Sequence, residues 1–141
     1  MNNLKIALLQ IMPGNSIEEN RRIGEEACRK AKLLNADIAL FPEMWSCGYN
    51  IPENPAELEE LAVSADGEFV SFFGKLAAEL GMAIGITFLE KHSPQPRNTL
   101  RLFDRFGKSV FTYAKVHTCD FGDEKVLCAG DDFHFTPPCK I

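Results

Sequence analysis

Two apolar runs, LKIALLQ at 4–10 and DIALF at 37–41, flank a stretch whose apolar residues recur at helical spacing; no other feature constrains the fold as much. Ser16 with Glu19 three residues on forms a capping-box pattern, which starts a helix at about Ile17. Ile23, Ala27, Ala31 and Leu34 mark one face of that helix, and charged residues fill the others until Asn35 ends it. A crossover of this length joins parallel strands, so both apolar runs are expected to be buried strands of an α/β sheet.

The rest of the chain extends the sheet. Residues 50–65 are rich in Pro, Glu and Ala and predict a loop with room for a helical turn at 55–62. Asp66-Gly67 opens a second amphipathic helix, carried by Phe69, Phe72, Phe73, Leu76, Ala77 and Leu80 and stopped by Gly81. MAIGITFL at 82–89 predicts a third strand. Residues 98–103 and 109–113 alternate on either side of DRFGK, a hairpin signal that makes the sheet mixed parallel and antiparallel. One more short strand is expected over 132–136. No repeat or linker splits the chain, and 141 residues suit a single domain over 1–141.

Composition narrows the partners. Fifteen Lys plus Arg against 20 Asp plus Glu give a net charge of -5 with no basic stripe, which argues against nucleic acid. No apolar run approaches the ~18 to 20 residues that span a bilayer, and residues 1–3 lack the basic start of a signal peptide. The expectation is a cytoplasmic protein that does not bind membranes. The five cysteines, at 28, 47, 119, 128 and 139, have no framework spacing and are expected to be free thiols.

Two stretches could carry chemistry. In ALFPEMWSCGY, Glu43 stands just past the carboxyl end of a strand, where open sheets form ligand crevices. A strand-end carboxylate is more often a cap or a surface charge, but Pro42, Trp45 and Tyr49 are placed to fix its backbone and exclude water. In YAKVHTCDFGDEKVLCAGDD, Lys115 directly follows the hairpin and is trailed by His117, Cys119, Asp120, Asp123 and Glu124. Lysines at strand ends are usually solvated.

Together these stretches carry a resemblance that neither carries alone. FPE at 41–43, RNT-L-FDRFGK at 97–108, YAKVH at 113–117, Glu124 and AGDDF at 129–133 resemble, in order and spacing, the nitrilase superfamily of carbon-nitrogen hydrolases. The resemblance runs from residue 4 to residue 141. It implies the amino-terminal half of an α-β-β-α sandwich, no cofactor or metal, a small amide, nitrile or carbamoyl compound as substrate, and a homo-oligomer. It also implies a Glu-Lys-Cys triad. Glu43 would be the general base, Lys115 the cation facing the tetrahedral intermediate, and Glu124 the acid that orients Lys115, with Asp123 as its competitor. Each residue type suits its role: a carboxylate among apolar groups takes a proton more readily, and an ammonium supplies fixed charge where an oxyanion develops.

The departure from the family pattern lies in the nucleophile. In the family the cysteine follows a segment resembling TPPCKI at 136–141, so no cysteine stands at its motif position and this chain is expected to be inert alone. Cys47, four residues past Glu43, and Cys119, four past Lys115, fall near the expected site, yet both read better as packing or loop cysteines. Two other chemistries have donors in the sequence. His117, Cys119, Cys128, His134 and Cys139 could bind zinc, but their spacings are not those of a finger or ribbon. Asp120, Asp123, Glu124, Asp131 and Asp132 could hold a divalent ion for phosphoester chemistry, although acidic runs are mostly solvated loop surface. A non-catalytic alternative is a half-sandwich that pairs through its open sheet face, with itself or with another hydrolase-like chain.

Overall fold

Five strands join into one mixed sheet in the computed structural model, which describes residues 3–119 and 121–132. The strands run in chain order across it: β1 (Ile6–Leu8), β2 (Ile38–Leu40), β3 (Ala83–Glu90), β4 (Arg97–Phe103) and β5 (Ser109–Ala114). The first two pairings are parallel and the last two antiparallel. The helix α1 (Ile17–Leu33) makes the first crossover, and α2 (Pro55–Leu61) with α3 (Glu68–Leu80) lies in the second. This is the mixed α/β sheet expected from the sequence. The short strand expected over 132–136 lies, apart from Asp132, outside the described residues.

The helix starts follow local chemistry. Ser16 Oγ accepts from Glu19 N–H at 3.1 Å, one arm of the predicted capping box. The Glu19 carboxylate instead accepts from Asn15 N–H at 2.8 Å, one residue before the cap. The turn predicted at 55–62 is a full helix, because Asn54 caps it and Pro55 supplies a fixed φ at its first turn.

Helices α1 and α3 cover one face of the sheet. Cys28 and Ala31 from α1, and Phe69, Val70, Phe73, Leu76 and Ala77 from α3, pack on Ile84, Ile86 and Phe88 of β3. Those three β3 side chains are fully buried, each contributing about 1.5 to 3 kcal/mol. Phe41 joins the same core, with its ring 5.0 Å from Phe73 and 5.6 Å from Trp45.

The other face is open among the described residues, and here β1 departs from the buried strand expected. Ile6 and Leu8 are 47% and 69% exposed, because β1 is an edge strand and nothing described covers its outer side. The registers place Leu8, Leu40, Gly85, Leu102 and Phe111 opposite one another, so an apolar row crosses all five strands on this face. Beside the row lies a hollow of about 600 Å³, lined by Leu8, Gln10, Met12, Leu40, Pro42 and Leu100 among others.

Candidate active site

Glu43 sits in a loop that β3 and α1 hold from beneath. The Thr87 hydroxyl donates to Pro42 O and accepts from Trp45 N–H, at 3.1 Å in the second case. Ser46 Oγ accepts from Leu89 N–H at 3.0 Å, and Trp45 Nε1 donates to Asn20 O at 2.9 Å. Asn20, buried in α1, accepts from Gly14 N–H and donates to Ser46 O. These bonds hold a backbone strained at Met44 and Tyr49, whose φ values are 55° and 64°, with Gly48 between them at 62°, a conformation glycine takes freely. At Gly24 of α1 a Cβ would lie 2.7 Å from Phe41 and 3.0 Å from Trp45, so the absent side chain lets the helix seat the residues flanking Glu43.

Lys115 reaches Glu43 from β5. Its N–H donates to Asn98 O at 2.8 Å, one step past the end of the strand ladder, and Gly130 N–H returns a bond to Lys115 O at 2.8 Å. The ammonium Nζ then donates to Glu43 Oε1 at 2.9 Å and to Glu124 Oε1 at 3.0 Å, with Glu124 Oε2 at 2.9 Å. Glu124, in the 3₁₀ turn Asp123–Val126, is fully buried and also accepts from Cys119 N–H at 3.0 Å. The structure therefore brings Glu43, Lys115 and Glu124 together and leaves Asp123 exposed.

Asn98 is the member that sequence reasoning missed. Its Nδ2 donates to Glu43 Oε1 at 2.7 Å and to Glu124 Oε1 at 2.9 Å, the two oxygens that Lys115 also engages. RNT at 97–99 was legible as the start of a hairpin strand and as part of the family resemblance, with no role given to residue 98. The available signal was strand alternation, which puts residue 98 on the same face as Leu100 and Leu102, where a buried polar side chain needs a partner.

The electrostatics follow from this packing. Burial pushes the Glu124 carboxyl up, but the bonds from Lys115, Asn98 and Cys119 N–H and the lysine charge outweigh it, holding the group below the usual carboxylate range. Partial burial acts against the Lys115 charge, and its bonds to Glu43 and Glu124 overcome that, leaving the ammonium well above the ordinary lysine range. Tyr49 is raised by burial and by the charges of Glu124 and Glu43, so its ring lies in the same field. The described residues do not make the enclosure expected around Glu43. Its side chain is 48% exposed, because Trp45 turns into the helix-side core rather than over the carboxylate.

The cysteines separate by environment. Cys47 is buried beside Met44, Leu58 and Leu89, its Sγ 3.5 Å from Met44 O, and burial raises its thiol. Cys28 is buried on the core face of α1, and burial pushes its thiol up to about 12. Cys119 and Cys128 are half-buried free thiols. Of the residues considered for zinc or a divalent ion, Asp120, His134 and Cys139 lie outside the described residues. Among the described residues no three His, Cys, Asp or Glu side chains are grouped to hold a metal, and no helix is long and apolar enough to cross a membrane.

A carboxylate with an open side, bridged by an ammonium to a second, buried carboxylate, can move a proton beside a fixed positive charge. A sequence profile described as carbon-nitrogen hydrolase matches residues 5–137, nearly the whole chain. The chain belongs to the carbon-nitrogen hydrolase family. Among its relatives in that family, the 2-oxoglutaramate amidase of Bacillus subtilis is 32% identical over 101 residues, covering 70% of this chain and 37% of that protein. The deaminated glutathione amidase of Rattus norvegicus is 26% identical over 121 residues, covering 82% of this chain and 36% of that protein. An amidase structure from Nesterenkonia sp. superposes with a TM-score of 0.75 at 25% identity, over 92% of this chain and 49% of that one. A carbon-nitrogen hydrolase from Helicobacter pylori G27 shares the fold with a TM-score of 0.77 at 21% identity, over 91% of this chain and 45% of that one. The chain thus spans about half the length of these family structures and just over a third of these two curated relatives.

Proposed function

We propose that this chain supplies the base and the cation of a carbon-nitrogen hydrolase that cleaves a small nonpeptide amide, nitrile or carbamoyl compound through a thiol nucleophile. The observation that carries the reading is Lys115 Nζ bridging Glu43 and Glu124 while Glu43 keeps an oxygen open to the outside. Glu43 takes the thiol proton, and the thiolate attacks the substrate's carbonyl or nitrile carbon. Lys115 faces the charge that develops on the attacked group, and Glu124 fixes the direction of the ammonium. From an amide or carbamoyl compound the amine or ammonia departs with the proton that Glu43 returns, leaving a thioester that water hydrolyses. A nitrile instead takes that proton on its nitrogen to give a thioimidate, to which water adds before ammonia leaves.

The thiol itself comes from outside the described cysteines. Cys28 and Cys47 are buried with raised thiols, and Cys119 and Cys128, though half-buried and free, do not stand at the family's nucleophile position. A neighbour in the Nesterenkonia series carries an acrylamide adduct on its active-site cysteine, which supports thiol chemistry in this fold. Residues 1–141 alone are therefore expected to release no ammonia from a small primary amide such as butyramide. Ammonia release by this chain that persists in Glu43→Gln would overturn the assignment.

A second reading is favoured by the apolar row from Leu8 to Phe111. Residues 1–141 can bury that face by pairing, with a second copy or with another hydrolase-like chain, whether or not they catalyse anything. Light scattering that shows a monomer at all concentrations, with no binding of an apolar dye, would remove this reading.

A further inference from the structure

Asn98 and Lys115 engage the same two oxygens, Glu43 Oε1 and Glu124 Oε1, and close a ring of four hydrogen bonds with them. Glu124 Oε2 is taken by Cys119 N–H and by Lys115. Of the four oxygens, Glu43 Oε2 alone receives no bond from the described residues. Two carboxylates and one ammonium leave the cluster with one uncompensated negative charge, and that charge is most accessible at the open oxygen.

We propose that Asn98 is a positioning residue that sets which oxygen of Glu43 accepts the proton: by pinning Oε1 it presents Oε2 to the nucleophile. The inference rests on the reading of Glu43 as the base. Its physical content lies in the difference between the two donors. An ammonium rotates freely and follows whichever oxygen is near, and the terminal torsion of a glutamate is broad, so Lys115 alone does not choose between Oε1 and Oε2. A primary amide is planar and its two N–H directions are fixed, so one amide shared by two carboxylates fixes both. The facing carboxylates also decide the amide's own orientation, since turning it over would aim Oδ1 at two anions.

Asn98 can impose that geometry because it is itself held. It is 6% exposed, paired with Leu89 in the β3–β4 register, and its carbonyl accepts from Lys115 N–H. A rigid strand thus positions the base through the side chain and the lysine through the backbone. The neutrality of the amide matters as much as its shape. A lysine or arginine at 98 would cancel the remaining negative charge and weaken the base, whereas an aspartate would remove both donors and add a third acceptor.

That contrast supplies the test. The charged and titratable groups around position 98 are Glu43, Glu124 and Lys115, with Tyr49 and Cys119 beside them. If Asn98 only fills space, Asn98→Asp, nearly the same size, is milder than Asn98→Leu. If it positions the carboxylates, Asn98→Asp is the worse of the two in thermal melts at pH 8. Its deficit then shrinks towards pH 4 as the crowded carboxyls take up protons, and the double variant Glu43→Gln with Asn98→Asp, which restores one donor facing one acceptor, recovers most of the loss. A pH-independent deficit, or no recovery in the double variant, overturns the proposal.

In residues 1–141 joined to a segment bearing the family's nucleophilic cysteine, Asn98→Leu is expected to lower kcat for a small primary amide by about 100-fold with KM held within about threefold, the range of a displaced general base. Turnover within threefold of wild type, with Glu43→Gln inactive, overturns the positioning role and leaves the base assignment standing. Turnover that survives Glu43→Gln overturns the base assignment, and the melts then decide the geometry separately. If the single variants do not fold, the wild-type Asn98 side-chain amide protons serve instead. They should exchange with water at least roughly tenfold more slowly than those of exposed Asn15, and equal rates overturn the ring.

Discussion

At the scale of single residues, the site is a buried carboxylate, a half-exposed carboxylate and one ammonium between them, and pH should report on it from both sides. The Glu124 carboxyl titrates below its unfolded value of about 4.3, so its contribution to stability is present above that pH and lost as pH falls through the folded value. Lys115 titrates above its unfolded value of about 10.4, so its contribution is present below that pH and lost as pH rises through the folded one. Urea melts against pH should show a plateau between the two, with Glu124→Gln flattening the acid limb. Replacing Lys115 by Met leaves Glu124 buried without its cation and should cost about 3 kcal/mol at neutral pH, measured in the same melts. Thiol reactivity offers an independent check. Alkylation followed by mass spectrometry should label Cys119 and Cys128 well before Cys28 and Cys47, whose thiols are buried and raised.

At the scale of elements, the helix that never touches Lys115 still sets where Glu43 stands. Gly24→Ala would push a methyl group into Phe41 and Trp45, so about 1 to 3 kcal/mol of destabilisation in a chemical melt is expected, with the 42–49 loop displaced. The strand-helix-strand opening, the hairpin and the start of α1 were legible in the sequence because each rests on local chemistry: periodicity, a capping serine, turn residues. Glu43 and Lys115 were legible through their motifs. Asn98 was not, because its role depends on a register: 98 must pair with 89 and precede 115 across the next strand before its amide meets both carboxylates. The exposure of β1 was hidden for a related reason. An apolar run such as LKIALLQ reads the same at a sheet's centre or its edge, and only the strand order decides.

At the scale of the whole molecule, helices cover one side of the sheet and the other carries an apolar row beside the site. Residues 1–141 in isolation should therefore associate in a concentration-dependent way. Leu8→Lys, at a position 69% exposed, should reduce that association in light scattering while changing stability by no more than about 0.5 kcal/mol. The proposed function rests on Glu43 serving a thiol. Its most direct test is ammonia release from butyramide when residues 1–141 are joined to a segment bearing the family's nucleophilic cysteine. Turnover should fall by about 100-fold or more in Glu43→Gln while KM changes little; turnover within twofold of wild type in that variant would rule out Glu43 as the base.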